Sequence, residues 1–235
     1  MITGGRGGIG IGIGRRLQSE GATVHVLDLN GDARADPALA GPIHFHQVDI
    51  RNEAEVDRAF DRIQALSGRL DYLVCCAAMF RPQPFLELEP ENWQQTLQVN
   101  LTGSFLSCRA ALRCMRSRKF GRIVLFSSMT ARTGTVKGAH YAASKGGILG
   151  LARTIAIEAA ADNIRVNTIS PGITDTPQPR AFLSDADFEA RRARIPLGRI
   201  GEVEDLVDAC LFLLSDQSSY LIGQDLRVNG GASLW

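Results

Sequence analysis

Three side chains in the segment SSMTARTGTVKGAHYAASK could together move a proton. Tyr141 and Lys145 are four apart, so on a helix they share a face. A tyrosine hydroxyl, with an ordinary pKa of about 10, is too weak a base at neutral pH. An ammonium group beside it favours the phenolate and brings that value down. Ser128 ends the preceding strand, 13 positions before Tyr141, and offers a second hydroxyl. The alternative for the pair alone is an ordinary helix with an exposed Tyr and Lys.

A second candidate site opens the chain, in MITGGRGGIGIGIGRRL. Two phosphate-binding frames fit it. The spacing GxGxxG is met by Gly5, Gly7 and Gly10, and the spacing TGxxxGxG by Thr3, Gly4, Gly8 and Gly10, with Ile9 between the last two. Either frame gives a turn free of Cβ atoms and a helix start whose N–H groups face a pyrophosphate. Gly12 and Gly14 fall in the helix itself, at up to about 1 kcal/mol each relative to Ala, and close helix–sheet packing is the expected reason. Asp28 ends the next strand, where a carboxylate can accept hydrogen bonds from an adenosine ribose. The same carboxylate repels a 2′-phosphate, which favours NAD over NADP. Arg6 is the counter-argument, since a guanidinium in the loop can bind that phosphate. The alternative for Asp28 is a turn residue before Asn30-Gly31.

These sites need a scaffold. Short apolar, β-rich runs occur at 23–29, 43–50, 70–78, 121–128, 164–170 and 225–229, and helical spacing at 9–20, 53–67, 91–118, 140–161 and 202–215. Strands alternating with helices predict an α/β fold, a doubly wound, mostly parallel sheet of Rossmann type with helices on both faces, in a single domain. The segment 171–197, rich in Pro and Arg, is long and irregular, and 177–197 is the expected substrate lid. The first strand poses a problem, because only Met1 and Ile2 precede Thr3. A stub at the centre of a sheet leaves neighbouring backbone unpaired and a gap in the core. The expectation is that the natural chain begins earlier; the alternative is a tolerated stub.

Composition excludes several classes. The 235 residues are 45% hydrophobic and 22% charged, with net charge +1, so nothing points to nucleic acid or an acidic membrane surface. No apolar run approaches a membrane span and no signal peptide precedes the loop, so the cytoplasm is the expected location. Five cysteines without CxxC spacing predict buried thiols rather than disulfides or zinc. His44 and His46 alternate on a strand without matching carboxylates, and no metal site is expected.

The TGxxxGIG loop, the upstream serine, the YxxxK pair and SPGITDT after a strand occur in that order, and with them the chain resembles the classical short-chain dehydrogenase/reductase family over almost its whole length. The resemblance implies that Tyr141 is the acid/base, that Lys145 lowers its pKa and binds the nicotinamide ribose, and that Ser128 holds the substrate oxygen. It also implies that Asn100, in QVNLTGSF, links Lys145 to solvent through a water; a helix kink is the alternative. It places Asp49 and Ile50 beside the adenine, Ala77 among the cofactor contacts with Ala78 where backbone approaches the adenosine ribose, and Pro171, Gly172, Ile173 and Thr176 on the nicotinamide side. The chain departs from the pattern at Cys75-Cys76-Ala77-Ala78, where the family has NNAG.

Substrate is expected at the loops carrying Phe80, Arg81, Met129, Arg132, His140 and Arg180, with Phe182, Leu183 and Phe188 from the lid; the arginines are either solvated or face an anionic substrate. Three functions follow. The first is NAD-dependent oxidoreduction of an alcohol or ketone. The second is NADPH-dependent reduction of 3-oxoacyl thioesters, which SSYLIGQDLRVNGG also resembles. The third is a non-catalytic dinucleotide sensor, which should have lost Tyr141 or Lys145. The family resemblance further implies a homotetramer through segments 91–118 and 140–161 and through the C-terminal RVNGGASLW, which buries Trp235.

Overall fold

The computed structural model describes residues 1–30 and 43–234; Gly31 and Trp235 lie outside them. Seven strands form one all-parallel sheet in the order β3-β2-β1-β4-β5-β6-β7. They are β1 (Ile2–Thr3), β2 (Val24–Asp28), β3 (Ile43–Gln47), β4 (Tyr72–Cys75), β5 (Gly121–Phe126), β6 (Ile164–Pro171) and β7 (Asp225–Val228). The helices are α1 (Gly8–Ser19), α2 (Glu53–Ser67), α3 (Pro90–Leu97), α4 (Gly103–Arg116), α5 (Thr130–Thr133), α6 (Ala139–Ala159), α7 (Pro177–Arg180), α8 (Asp185–Arg192) and α9 (Val203–Leu214).

Strand alternation builds two cores. Leu73 and Cys75 of β4 and Ile123 and Leu125 of β5 face α2, α4 and α6, through residues such as Phe60, Leu106 and Ile148. The intervening Val74, Val124 and Phe126 face α1 and α9, through Ile13, Leu17, Leu206 and Cys210. The sheet is therefore covered on both faces, as parallel sheets require. The strand order reverses direction between β1 and β4, which opens a crevice beyond the carboxyl ends of these strands.

The two residues of β1 are paired on both sides. Ile2 lies in register with Val26 and Val74, the Val74 N–H donates to the Met1 carbonyl (2.9 Å), and the Gly4 N–H to that of Leu27 (2.8 Å). Its neighbours start two rows ahead, at Val24 and Tyr72. The Met1 amino group donates to the Tyr72 carbonyl at 2.8 Å, and Ile2 is fully buried.

Three other elements differ from the sequence expectation. The 91–118 helix is broken by a π-helical turn over Gln98–Thr102. The irregular 171–197 segment contains α7 and α8, the latter opened by a capping box in which Ser184 and Asp187 satisfy each other's backbone N–H. His25 joins His44 and His46: its ring stacks on His44 at 4.8 Å, and its nitrogens share hydrogen bonds with His46 (3.1 Å) and Ser67 (2.7 Å). Burial pushes His25 down to about 4. Among the described residues no three His, Cys, Asp or Glu side chains are placed to hold a metal, and no helix is long and apolar enough to cross a membrane. All five cysteines are free thiols.

Candidate active site

The glycine loop turns at the end of β1. Gly4 has φ +64°, and a Cβ there would lie 2.5 Å from Ala77 Cα, so this position needs glycine on both counts. A Cβ on Gly10 would lie 2.6 Å from Gly5 Cα and 2.7 Å from the Gly4 carbonyl, so Gly10 lets the start of α1 close onto the turn. A Cβ on Gly8 would approach Thr176 Cγ2 at 3.2 Å, which places the first residue of α1 against the start of the lid segment. Gly5 is tight for another reason: its Cβ would meet Val26 of the sheet at 2.6 Å. The TGxxxGxG frame thus marks the cradle. Gly5, which belongs only to the GxGxxG frame, serves packing. Thr3 is buried beneath the loop, its carbonyl accepting from the Cys76 N–H at 3.1 Å.

Asp28 and Arg6 meet at the rim. Asp28 Oδ2 accepts from the Arg6 backbone N–H (3.2 Å) and Oδ1 from that of Asn30 (3.1 Å), while Arg6 Nη1 donates to the Asn30 carbonyl (3.3 Å). Asp49 is gripped by the Arg51 guanidinium, with contacts of 2.6–3.0 Å, and this holds its carboxyl below the usual range. Ile50 is buried, and a Cβ on Gly103 of α4 would press into it at 2.6 Å. A cradle without Cβ atoms, the free first-turn N–H groups of a twelve-residue helix and a carboxylate at the end of β2 fit the pyrophosphate and ribose of a dinucleotide.

One cavity of about 380 Å³ brings together Ile9, Ser128, Tyr141, Lys145, Pro171, Gly172, Ile173 and Thr176. Of the residues expected at substrate, Phe80, Met129, Phe182 and Leu183 line it too; Asn100 and the predicted residues of the glycine loop and rim other than Ile9 do not. The Gly172 N–H donates to the Val228 carbonyl (2.9 Å), and a Cβ on Gly172 would reach Asn229 Cα at 2.9 Å, so β6 and the end of β7 pack tightly there.

The side chains of Ser128 and Tyr141 line this cavity together, close enough for the serine hydroxyl to act on the phenol. Ser128 Oγ accepts from the Thr130 N–H (3.2 Å) and Thr130 Oγ1 (3.0 Å). Burial pushes Tyr141 up to about 12, with the neighbouring Ser128 hydroxyl pulling the other way. Lys145, on the same face of α6, is 2% exposed. Its Nζ donates to the Phe126 carbonyl (2.8 Å), sits 5.6 Å from the Tyr141 ring centre, and burial pushes it down to about 8. Asn100 sits fully buried in the π turn. Its Oδ1 accepts from the Met79 N–H (2.8 Å), and its Nδ2 donates to the Met79 carbonyl (3.1 Å) and to Ser144 Oγ (3.0 Å). It therefore ties the end of β4 to α6, one residue before Lys145.

Aromatic rings form one part of the pocket wall. The Phe80 ring lies 4.8 Å from Tyr141 and 5.2 Å, edge-on, from Phe182 of the lid segment. The arginines singled out in the sequence turn elsewhere: Arg180 pairs with Asp175 (2.7 Å) and Asp185 (2.8 Å), and Arg132 with Asp225 (3.6 Å). Arg191 and Arg194 line the cavity instead, with Ile195. Sequence reading missed them; the signal available was the capping box that starts α8. Cys76 also lines the cavity, and burial pushes its thiol well up, so it stands there as a small neutral group.

Comparison with known proteins agrees with this arrangement. A family model described as enoyl-(acyl carrier protein) reductase, of the short-chain alcohol dehydrogenase type, matches residues 4–233. The chain is 36% identical to a 3-oxoacyl-[acyl-carrier-protein] reductase FabG of Aquifex aeolicus, over 98% of this chain and 95% of the relative. It is 31% identical to the protein of that name from Escherichia coli, with the same coverage. Among solved structures, gox2181 superposes with a TM-score of 0.93 at 30% identity, over 100% of this chain and 95% of the other. A short-chain type dehydrogenase/reductase from Mycobacterium ulcerans gives 0.91 at 33% identity, over 98% and 88%. The chain belongs to the short-chain dehydrogenase/reductase family of NAD(P)-dependent oxidoreductases.

Proposed function

We propose that this chain reduces the 3-oxo group of acyl thioesters, with Ser128, Tyr141 and Lys145 as its working side chains. The observation that carries the reading is the convergence of Ser128 and Tyr141 on one apolar-walled cavity, with a buried Lys145 beside them. Sequence alone put an NAD-linked alcohol or ketone first. The names of the relatives and the wall of Phe80, Phe182, Leu183 and Ile195, suited to an acyl chain, support the thioester instead.

In this reading the substrate carbonyl oxygen takes two hydrogen bonds, from Ser128 and from Tyr141. A reduced nicotinamide dinucleotide, when bound in the crevice, supplies a hydride to the carbonyl carbon. Tyr141, a phenol throughout the neutral range, gives its proton to the oxygen, and the carbonyl becomes an alcohol. The Lys145 ammonium, released from the Phe126 carbonyl, stabilises the phenolate left behind. Asn100 holds the helix that carries both residues. Thr3, Gly4, Gly8, Ile9 and Gly10 cradle the pyrophosphate. Pro171, Gly172, Ile173 and Thr176 flank the nicotinamide, and Asp49, Ile50 and Ala77 the adenosine. Asp28 favours NADH over NADPH. The chain acts as one domain with 177–197 as its lid. It assembles as a homotetramer, with the exposed Phe105 of α4 and Ile157 of α6 as surface to be covered.

The test is a panel of 3-oxoacyl thioesters of rising chain length, simple ketones and secondary alcohols, each with NADH and NADPH. Highest kcat/KM for a 3-oxoacyl thioester supports the proposal. Turnover of ketones and alcohols with none of thioesters returns the assignment to an alcohol dehydrogenase.

A further inference from the structure

Asp225 is the first residue of β7, and its side chain is 7% exposed. Its Oδ1 accepts hydrogen bonds from Thr168 Oγ1 (2.8 Å) and Ser170 Oγ (2.7 Å), both on β6. Its Oδ2 is buried, accepts no hydrogen bond, and faces Arg132 Nη2 at 3.6 Å. A carboxylate taken out of water needs a counter-charge, and removing that partner leaves an uncompensated buried charge. Arg132 supplies it from α5, the four-residue turn that leaves Ser128.

This places the pair in a closed ring of contacts around Ser128. The backbone on either side of Ser128 is bonded to β6: the Ser127 N–H donates to the Ile169 carbonyl (2.8 Å), and the Met129 N–H to that of Pro171 (3.0 Å). Ser170, which holds Asp225, lies between those two acceptors. On the other side, Thr130 at the head of α5 donates twice to the Ser128 hydroxyl. A single helical turn has too few bonds of its own to fix its orientation. The ion pair anchors its far end. Neither Arg132 nor Asp225 lines the cavity.

The geometry points to Arg132 and Asp225 as positioning residues: their ion pair latches α5 to the β6–β7 edge and so sets the direction of the Ser128 hydroxyl. The inference rests on the reading of Ser128 as the group that holds the substrate oxygen. It assigns to Arg132 a role away from substrate, and to the buried carboxylate of β7 a role in turnover.

The test uses Arg132→Gln, Asp225→Asn and the conservative Arg132→Lys, each in the wild-type and in the Ser128→Ala background. Two readouts are taken: steady-state kinetics with a 3-oxoacyl thioester and NADH, and amide deuterium exchange of residues 129–134. The expected result is a fall in kcat of about tenfold for Arg132→Gln and Asp225→Asn with KM little changed. Arg132→Lys recovers most of it, no further fall occurs when Ser128 is already Ala, and exchange in 129–134 is faster in both variants. Unchanged exchange overturns the latch. An equal fall in kcat in both backgrounds overturns its action through Ser128. If the wild type turns over none of the substrates, or Ser128→Ala leaves kcat intact, the functional reading has failed, and the inference that the pair sets the working hydroxyl falls with it. Exchange and a double-mutant cycle on thermal unfolding then still report whether the ion pair itself exists. Should Asp225→Asn not fold, Arg132→Gln carries the same test.

Discussion

Lys145 is a cation in an almost dry place, and its titration can be read from stability. In the cofactor-free protein its pKa falls from 10.5 to about 8 because burial disfavours the ammonium. Between those values the unfolded chain binds a proton that the folded chain has released, so stability rises with pH through that window. The full effect is roughly 3 kcal/mol. Tyr141 acts in the opposite sense, since burial raises it from 10.0 to about 12 and stability falls as pH rises between them. Lys145→Met is therefore expected to gain on the wild type in thermal unfolding at pH 7 and to lose that relative advantage between pH 8 and 10.5. A difference that does not change with pH would mean the ammonium is solvated. At the rim, Asp28→Ser should narrow the preference for NADH by relieving repulsion of a 2′-phosphate, measured as the ratio of the two dissociation constants. A wild type that prefers NADPH would show that Arg6, not Asp28, sets the choice.

The two helical glycines of α1 separate two kinds of packing that one sequence pattern conflates. Both were expected to allow close approach to the sheet. Gly14 faces Ile2, Val24 and Ile43 of the sheet, but a Cβ there would lie 3.6 Å or more from each, an ordinary contact. Gly12 faces a helix instead: its Cβ would lie 2.5 Å from Val203 Cγ1 and 3.1 Å from Val207 Cγ2 of α9. Gly14→Ala is expected to stabilise the protein by up to about 1 kcal/mol through helix propensity alone. Gly12→Ala is expected to destabilise it by about 1–3 kcal/mol through overpacking. Chemical denaturation of the two variants checks the pair, and the same sign for both would contradict the packing described. Elements as a whole were legible because strands and helices alternate with strong periodicity. The π turn at Gln98–Thr102 was not, since one extra residue in a helical turn leaves an apolar pattern nearly unchanged while turning Asn100 onto Met79 and Ser144.

At the scale of the molecule, the catalytic candidates were readable because proton chemistry restricts residue types. Ser128, Tyr141 and Lys145 announce themselves by identity and spacing, and the sheet brings them to one cavity. The wall of that cavity was only half readable. Phe80 and Phe182 were anticipated from their loops, but Arg191 and Arg194 come from α8, hidden in a Pro- and Arg-rich stretch that read as irregular. Which arginine lines the cavity and which is paired elsewhere depends on carboxylates both near in sequence, Asp175 and Asp185 beside Arg180, and distant, Asp225 beside Arg132. Assembly is a further property of the whole: light scattering at micromolar concentration should give the mass of four chains, and a monodisperse monomer would refute the tetramer. The central claim, that Tyr141 is the proton donor of a hydride-transfer enzyme, is tested most directly by a single-turnover measurement on Tyr141→Phe. With dinucleotide binding confirmed by titration, the rate of nicotinamide oxidation by a substrate of the wild type should fall by at least on the order of 10²-fold, because the ring still packs against Phe80 and only the hydroxyl is lost. A variant that binds the dinucleotide and keeps most of the wild-type rate would contradict the account.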